Sequence, residues 1–401
     1  MHTFLPRSGL WRPVLAALLG GLTLLAAGCG GGGDAPAGAN EQAASFTEGP
    51  IEGFGSIIVG GVRFDDSAAR VSDDDDSPRS SDDLKLGVVV EIEGGAVDRV
   101  ANKARALRIR FGAEIVGPVE STNTGPTANP KTLVVLGQTV EIKDTTVIDD
   151  SLVGGVAGIA VGDVLEVHAL FDAATGRYVA TRIEDKDSPQ FFKLRGVVSG
   201  LDTTARTFRI GTALISYASV DPALLPANLA DGLRVRVRLQ TTQVDGKWVA
   251  VTVRHGVRRA DDVGEAEVHG FVTSFESAQR FAVNGLEVDA TGAAFPDGTA
   301  GLRLGARVEV EGRIVNGVLV ARKVELEDRR DRLERFELHG AIASIDLGAK
   351  VFVLRGIRVS FDGPLDLECR ATLAVGTRVE VKGYLSADGT KLVAARIRCE
   401  D

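Results

Sequence analysis

The chain has 401 residues, with 46 basic against 55 acidic side chains and a formal net charge of −9. That balance argues against a nucleic-acid partner, whose affinity comes chiefly from cations meeting phosphates. Only 5% of the residues are aromatic, too few for platforms that stack bases or sugars, and 48 glycines among frequent Val and Ala point to many short strands joined by tight turns.

The N-terminus reads as an export signal. Arg7 and Arg12 form a basic region, and residues 14–27 form a weakly polar to apolar run of 14 residues. That is shorter than the roughly 20 helical residues that span a bilayer and suits a signal-peptide core. It ends in Leu25-Ala26-Ala27-Gly28-Cys29, small residues followed by cysteine, which resembles the lipobox of bacterial lipoproteins. Ala26 stands where that pattern usually has Leu, and Leu25 lies one place earlier. The resemblance implies cleavage before Cys29 and a diacylglyceryl group on it, usually joined by a third acyl chain. Each buried CH₂ contributes about 0.8 kcal/mol and one chain alone holds marginally, so several chains are what make the tether permanent. In Gram-negative cells, Gly30 after the cysteine implies transfer to the outer membrane. An ordinary secretory signal with an incidental cysteine is the alternative.

On this reading residues 1–28 are the signal peptide, and 29–47 are the lipidated cysteine and a flexible leader of Gly, Ala and polar residues. The leader extends to at most roughly 60 Å. Loss of Arg7 and Arg12 leaves 44 basic against 55 acidic residues, a net charge of −11.

A single pattern then recurs: an apolar residue, two spacers, a glycine and an alternating strand. It appears at Leu84-Lys85-Leu86-Gly87, Ile159-Ala160-Val161-Gly162, Leu229-Ala230-Asp231-Gly232, Leu302-Arg303-Leu304-Gly305 and Leu373-Ala374-Val375-Gly376. The glycines are spaced by 75, 70, 73 and 71 residues, a register that marks internal repeats. The flanks repeat too: a copy opens on Gly and apolar residues, as at Gly270-Phe271-Val272, and closes on a strand such as Leu392-Val393-Ala394-Ala395-Arg396-Ile397. Asn284-Gly285 between alternating runs is a hairpin signal.

The spacing divides the chain into β-modules at 48–114, 115–188, 189–260, 261–330 and 331–401. Each has about five strands, with a variable piece after the third. In the third copy that piece, 221–229, reads as a turn of helix; the mixed-charge run 325–335 reads as another. Three strands, a variable connection and two strands is the order of an OB-like barrel. The expected fold class is therefore all-β, a tandem array of five small OB-like barrels in a contacting string. A β-sandwich of paired repeats is the alternative.

The repeated elements, with the Gly-rich phrase from Gly49 to Val59, resemble a family of exported bacterial proteins known as domain of unknown function 5666. The resemblance covers residues 48–401 and rests on structural glycines and strand alternation. It implies fold and setting and supplies no catalytic residues.

Few motifs carry chemistry. Asp73-Asp74-Asp75-Asp76 is a dense carboxylate run and a candidate calcium loop, since hard cations take several carboxylate oxygens. It departs from the EF-hand template: Pro78 stands where Gly is needed and Leu84 where the last Glu belongs. The plainer reading is a solvated acidic loop. His269 and His339 occupy matching places in copies four and five, where copy three has Arg195. With no His-x-Glu, HExxH or close Cys/His pair, they read as repeat-conserved rather than metal-ligating, and no metal or other cofactor is expected. Cys369 and Cys399 are candidates for a disulfide in an oxidising compartment; two free thiols are the alternative. No nucleophile elbow or Walker A loop is present, and no catalytic residue is nominated. The expectation is an envelope lipoprotein that binds or scaffolds rather than catalyses. Its partners would be the membrane, through lipid on Cys29, and an envelope protein or polymer, with a calcium or small-ligand sensor as the second reading and an envelope enzyme as the third.

Overall fold

The computed structural model describes residues 43–257, 260–327, 336–369 and 373–400. The signal peptide, Cys29 and most of the leader lie outside these residues, as does most of the run 325–335. Among the described residues are 29 strands and three single 3-10 turns, and no helix long and apolar enough to cross a membrane. The helical turn expected at 221–229 is the 3-10 turn Pro222–Leu224, capped by the Asp221 carboxylate accepting from the Ala223 N–H. Glu325 and Leu326 end the strand Val318–Leu326 rather than opening a helix.

Alternation builds the strands. In Arg234–Val244, Val235, Val237 and Leu239 are fully buried while Arg234, Arg236 and Arg238 point outward. Pairing then closes barrels. In the fourth repeat Val263–Ser277 pairs with Arg280–Val283, and that strand pairs with Leu286–Asp289. Leu286–Asp289 runs parallel to Val318–Leu326, which pairs with Arg307–Val315, which returns to Val263–Ser277. A first strand flanked by the second and fourth, with third and fifth parallel, is the OB-like circuit, and closure removes free edges. Among the described residues the circuit also closes at 45–111, 115–185, 192–255 and 336–399.

Two glycine positions explain the motif. Gly87, Gly162, Gly232, Gly305 and Gly376 all have φ between 75° and 100°, the left-handed turn that other residues adopt at a cost. Each N–H donates to a first-strand carbonyl, of Ile51, Val119, Val198, Val272 and Ile342, at 2.8–2.9 Å, so the turn fixes where the fourth strand begins. The later glycines Gly94, Gly312 and Gly383 sit at a bulge in the strand 4–5 pairing; a Cβ on Gly312 or Gly383 would run into the carbonyl of Val320 or Val393.

The barrels do not form a string. The first strand of the first barrel is split: Ser45–Pro50 lies parallel to Val263–Ser277 of the fourth barrel, and Gly53–Phe54 lies parallel to Phe336–Asp346 of the fifth. This strand begins at Ser45, inside the stretch assigned to the leader, and Phe46 is buried in the fourth barrel's core. The second and third barrels pair through Ile115–Val116 and Lys193–Leu194 and share one apolar core. The fifth barrel touches the second, where the Ile148 N–H donates to Gly389 O at 3.0 Å. The first barrel is thus a hub.

Candidate functional site

The hub docks through corresponding positions of the barrels it meets. Counting back from the opening glycine, the third and first residues are Lys193 and Arg195 in the third barrel, Glu267 and His269 in the fourth, and Glu337 and His339 in the fifth. Four residues beyond the turn glycine stand Arg236, Glu309 and Glu380. Arg195 and Arg236, His269 and Glu309, and His339 and Glu380 are directly opposed across strands 1 and 4, so these side chains share one outward face.

In the third barrel this face is cationic, and the acidic run fills it. Asp74 lies 3.5 Å from Lys193 Nζ and 3.1 Å from both Arg195 and Arg236. Asp75 meets Arg236 at 2.9 Å, Arg254 at 3.3 Å and Arg238. Asp73 serves its own loop, accepting from the N–H groups of Asp75 and Ser77 and from Arg79, while Asp76 faces Arg110. Burial works against the charge of Asp74, but Lys193, Arg195 and Arg236 outweigh it and hold the carboxyl below its ordinary range. The expectation of a solvated loop is therefore wrong: Asp73 and Asp74 are 3% and 7% exposed. The oxygens of Asp73, Asp74 and Asp75 lie close together, yet guanidinium and ammonium groups already occupy them, which is the wrong surrounding for calcium.

In the fourth and fifth barrels the face carries histidine among carboxylates. His269 Nε2 is 2.8 Å from Glu267 and its Nδ1 is 3.3 Å from Glu327. His339 Nε2 is 2.5 Å from Glu337 and its Nδ1 is 2.6 Å from Glu400. Burial opposes a charged His269, but the two carboxylates outweigh it and raise its pKa well above the ordinary value. Glu309 is pushed up to about 7, by burial foremost. The Gly-rich phrase of the first barrel lies over both sites. A Cβ on Gly60 would strike the His269 ring and Glu267, and one on Gly55 would meet His339, so the glycines permit close approach. The spacing Glu-x-His, at 267/269 and 337/339, is the signal that a search for His-x-Glu passes over.

Between the first, second and fifth barrels lies a cleft of about 640 Å³, within the range of small-molecule sites. Leu84, Leu86, Ile148 and Leu385 form a buried apolar floor. The rim is charged: Arg182 pairs with Asp149, Lys85 with Glu184 at 2.9 Å, and Arg358 with Asp150 at 2.9 Å. Arg355 Nε donates to the His339 carbonyl at 2.8 Å, tying the rim to the fifth barrel's histidine strand. Cys369 and Cys399 are bonded to each other, with Cα atoms 5.0 Å apart, in the fifth barrel.

No curated protein matches the chain. A solved structure named "drosophila Unr CSD456" is similar at 13% identity, covering 54% of this chain and 97% of that one, with a TM-score of 0.14. The model of the family described as Domain of unknown function (DUF5666) matches residues 116–184, 269–325 and 339–398, which fall in the second, fourth and fifth barrels. The chain is accordingly an all-β repeat protein whose barrels resemble DUF5666.

Proposed function

We propose that this chain is a cell-envelope binding scaffold, tethered by lipid on Cys29, whose ligand seats in the cleft between the first, second and fifth barrels. The cleft itself carries the reading: an apolar floor under a charged rim, built jointly by barrels far apart in sequence. Such a surface holds a partner without needing catalytic groups, and convergent polar groups over an apolar floor are what binding sites usually present. The Cys369–Cys399 bridge supports an oxidising, exported setting, and the lipobox-like order ending at Cys29 supports the tether. The partner proposed is an envelope protein or polymer segment rather than nucleic acid, which the acidic balance disfavours.

The test is site-specific photo-cross-linking in intact cells. A photoreactive residue at Ser56 or Thr390, both on the cleft, should capture one discrete species that the same residue at exposed Thr204 does not. Identical patterns from the cleft and from Thr204 would refute the cleft as the site. Radiolabelled palmitate should mark the wild type and not Cys29→Ala; equal labelling of both would remove the tether from the proposal.

A further inference from the structure

We infer that the fourth and fifth barrels each bind one divalent first-row metal ion, at Glu267–His269–Glu309 and at Glu337–His339–Glu380. In each trio one imidazole nitrogen and two carboxylate oxygens lie within 4.8 Å of one another. Small side-chain rotations close that spread onto an ion with bonds of about 2.0–2.2 Å. The backbone brings the ligands together without a special loop. His269 is directly opposite Glu309 and His339 opposite Glu380, and the other glutamate lies two residues along the same strand face.

A second feature separates these trios from a chance acidic cluster. Each histidine presents Nε2 to its trio and turns Nδ1 to a carboxylate outside it, Glu327 or Glu400. That outer carboxylate fixes the tautomer and raises the basicity of the ligating nitrogen, as is usual for metal-bound imidazole. All four residues recur together in the two barrels, whereas the third barrel replaces three of them with Lys193, Arg195 and Arg236 and takes carboxylates from the first barrel instead. The cationic face is thus served by an anion from the first barrel, the anionic face of the fifth barrel takes Arg63 from it on Glu337, and we assign a metal cation to the remaining carboxylate charge of both anionic faces.

One nitrogen with two carboxylate oxygens suits zinc or a neighbouring divalent ion. On binding, the ion takes the place of the proton on Nε2, which leaves to solvent, so uptake weakens as pH falls. The glycine phrase lies over His269 and His339, so each ion would sit at the seam with the first barrel, with three protein ligands and a further position left to water. Each ion would strengthen the seat of the first barrel. The fourth barrel's site is the tighter of the two. There Lys323 is engaged by Glu311 and Glu325, whereas in the fifth barrel Arg63 of the first barrel pairs with Glu337 and Lys382 stands 3.3 Å from Glu337 and 3.6 Å from Glu380, and both cations compete with the ion. This assignment does not depend on the cleft.

The test uses the full chain in mild detergent, stripped with EDTA and titrated with zinc in a calorimeter, with cobalt absorption as a second readout. Two ions should bind, one tighter than the other, and raise the melting temperature. Glu309→Gln should abolish the tighter event and Glu380→Gln the weaker, each with far-ultraviolet dichroism unchanged. Glu327→Gln, which leaves every ligand in place, should weaken the tighter event by about 10–100-fold. Failure of the stripped protein to take up zinc or cobalt would overturn the assignment, as would uptake unaltered by Glu309→Gln and Glu380→Gln together.

Discussion

The third barrel and the fourth and fifth barrels receive the same hub on the same strand face, with opposite chemistry. The third offers Lys193, Arg195 and Arg236 and is filled by Asp74 and Asp75. The fourth and fifth offer a histidine ringed by glutamates and covered by glycines, and the fifth also takes Arg63 of the hub on Glu337. In the first case the hub supplies the countercharge through buried aspartates; in the second the histidine supplies part of it, and the hub adds Arg63 at the fifth barrel. The barrel frame fixes where a contact falls, and outward residues on strands 1 and 4 decide what kind it is. The ionic dock should therefore be the more sensitive to loss of one hub side chain.

The largest effect is expected there. Asp74→Ala removes the carboxylate that Lys193, Arg195 and Arg236 share, a side chain only 5% exposed, and leaves Arg195 with Glu114 and Arg236 with Asp75. Breaking such a buried pair costs about 3–5 kcal/mol, to be read from urea unfolding. A cost under about 1 kcal/mol would mean that the ionic contact does not hold the third barrel. Next comes the covalent support of the fifth barrel's dock. Cys399 precedes Glu400, the carboxylate on His339 Nδ1, and its bridge closes a separation of 30 residues. Cys399→Ser should cost roughly 3–4 kcal/mol on the chain-entropy account. Reducing agent should destabilise the wild type by the same amount and leave the variant unaffected. A smaller loss is expected at the glycine cover. Gly60→Ala places a methyl group at φ 58° against His269 and Glu267, costing roughly 2 kcal/mol. Gly61→Ala, with positive φ but open space around it, should cost less; equal costs would assign the loss to backbone strain alone.

Much of the fold was legible because it is local. Strand alternation, the Asn284-Gly285 hairpin and the spaced turn glycines all act within one repeat, and the structure gives each a backbone reason. The docking was not legible, because it depends on residues that sequence keeps far apart. Asp74 and Arg236 are separated by two barrel boundaries, and nothing local in Asp73-Asp74-Asp75-Asp76 distinguishes a solvated run from an inserted one. His269 and Glu309 meet only once strands 1 and 4 pair. The Gly-rich opening of the first repeat was visible as a departure from the other copies, but its cause lies in Glu337, His339 and His269 of later barrels.

Glu48 sharpens the comparison from the hub's own side. It precedes the first barrel's opening glycine, the place held by Arg195, His269 and His339 elsewhere, and it accepts from Asn284 Nδ2 at 3.0 Å. Burial and then Glu91 push its carboxyl up to about 8, while Asn284, Arg195 and Arg234 work against the rise. A carboxyl whose folded pKa lies above its unfolded value binds more protons when folded. Its contribution is complete below the unfolded value of about 4.5 and is lost as pH rises through about 8. Glu48→Gln keeps an acceptor for Asn284 and has no charge to desolvate. The variant should match the wild type near about pH 5 and be the more stable of the two near about pH 9, with a flatter dependence of melting temperature on pH between them. Parallel pH profiles for the two proteins would show that Glu48 is already charged in the fold, and that the hub meets the third and fourth barrels with an anion rather than a neutral hydrogen-bonding group.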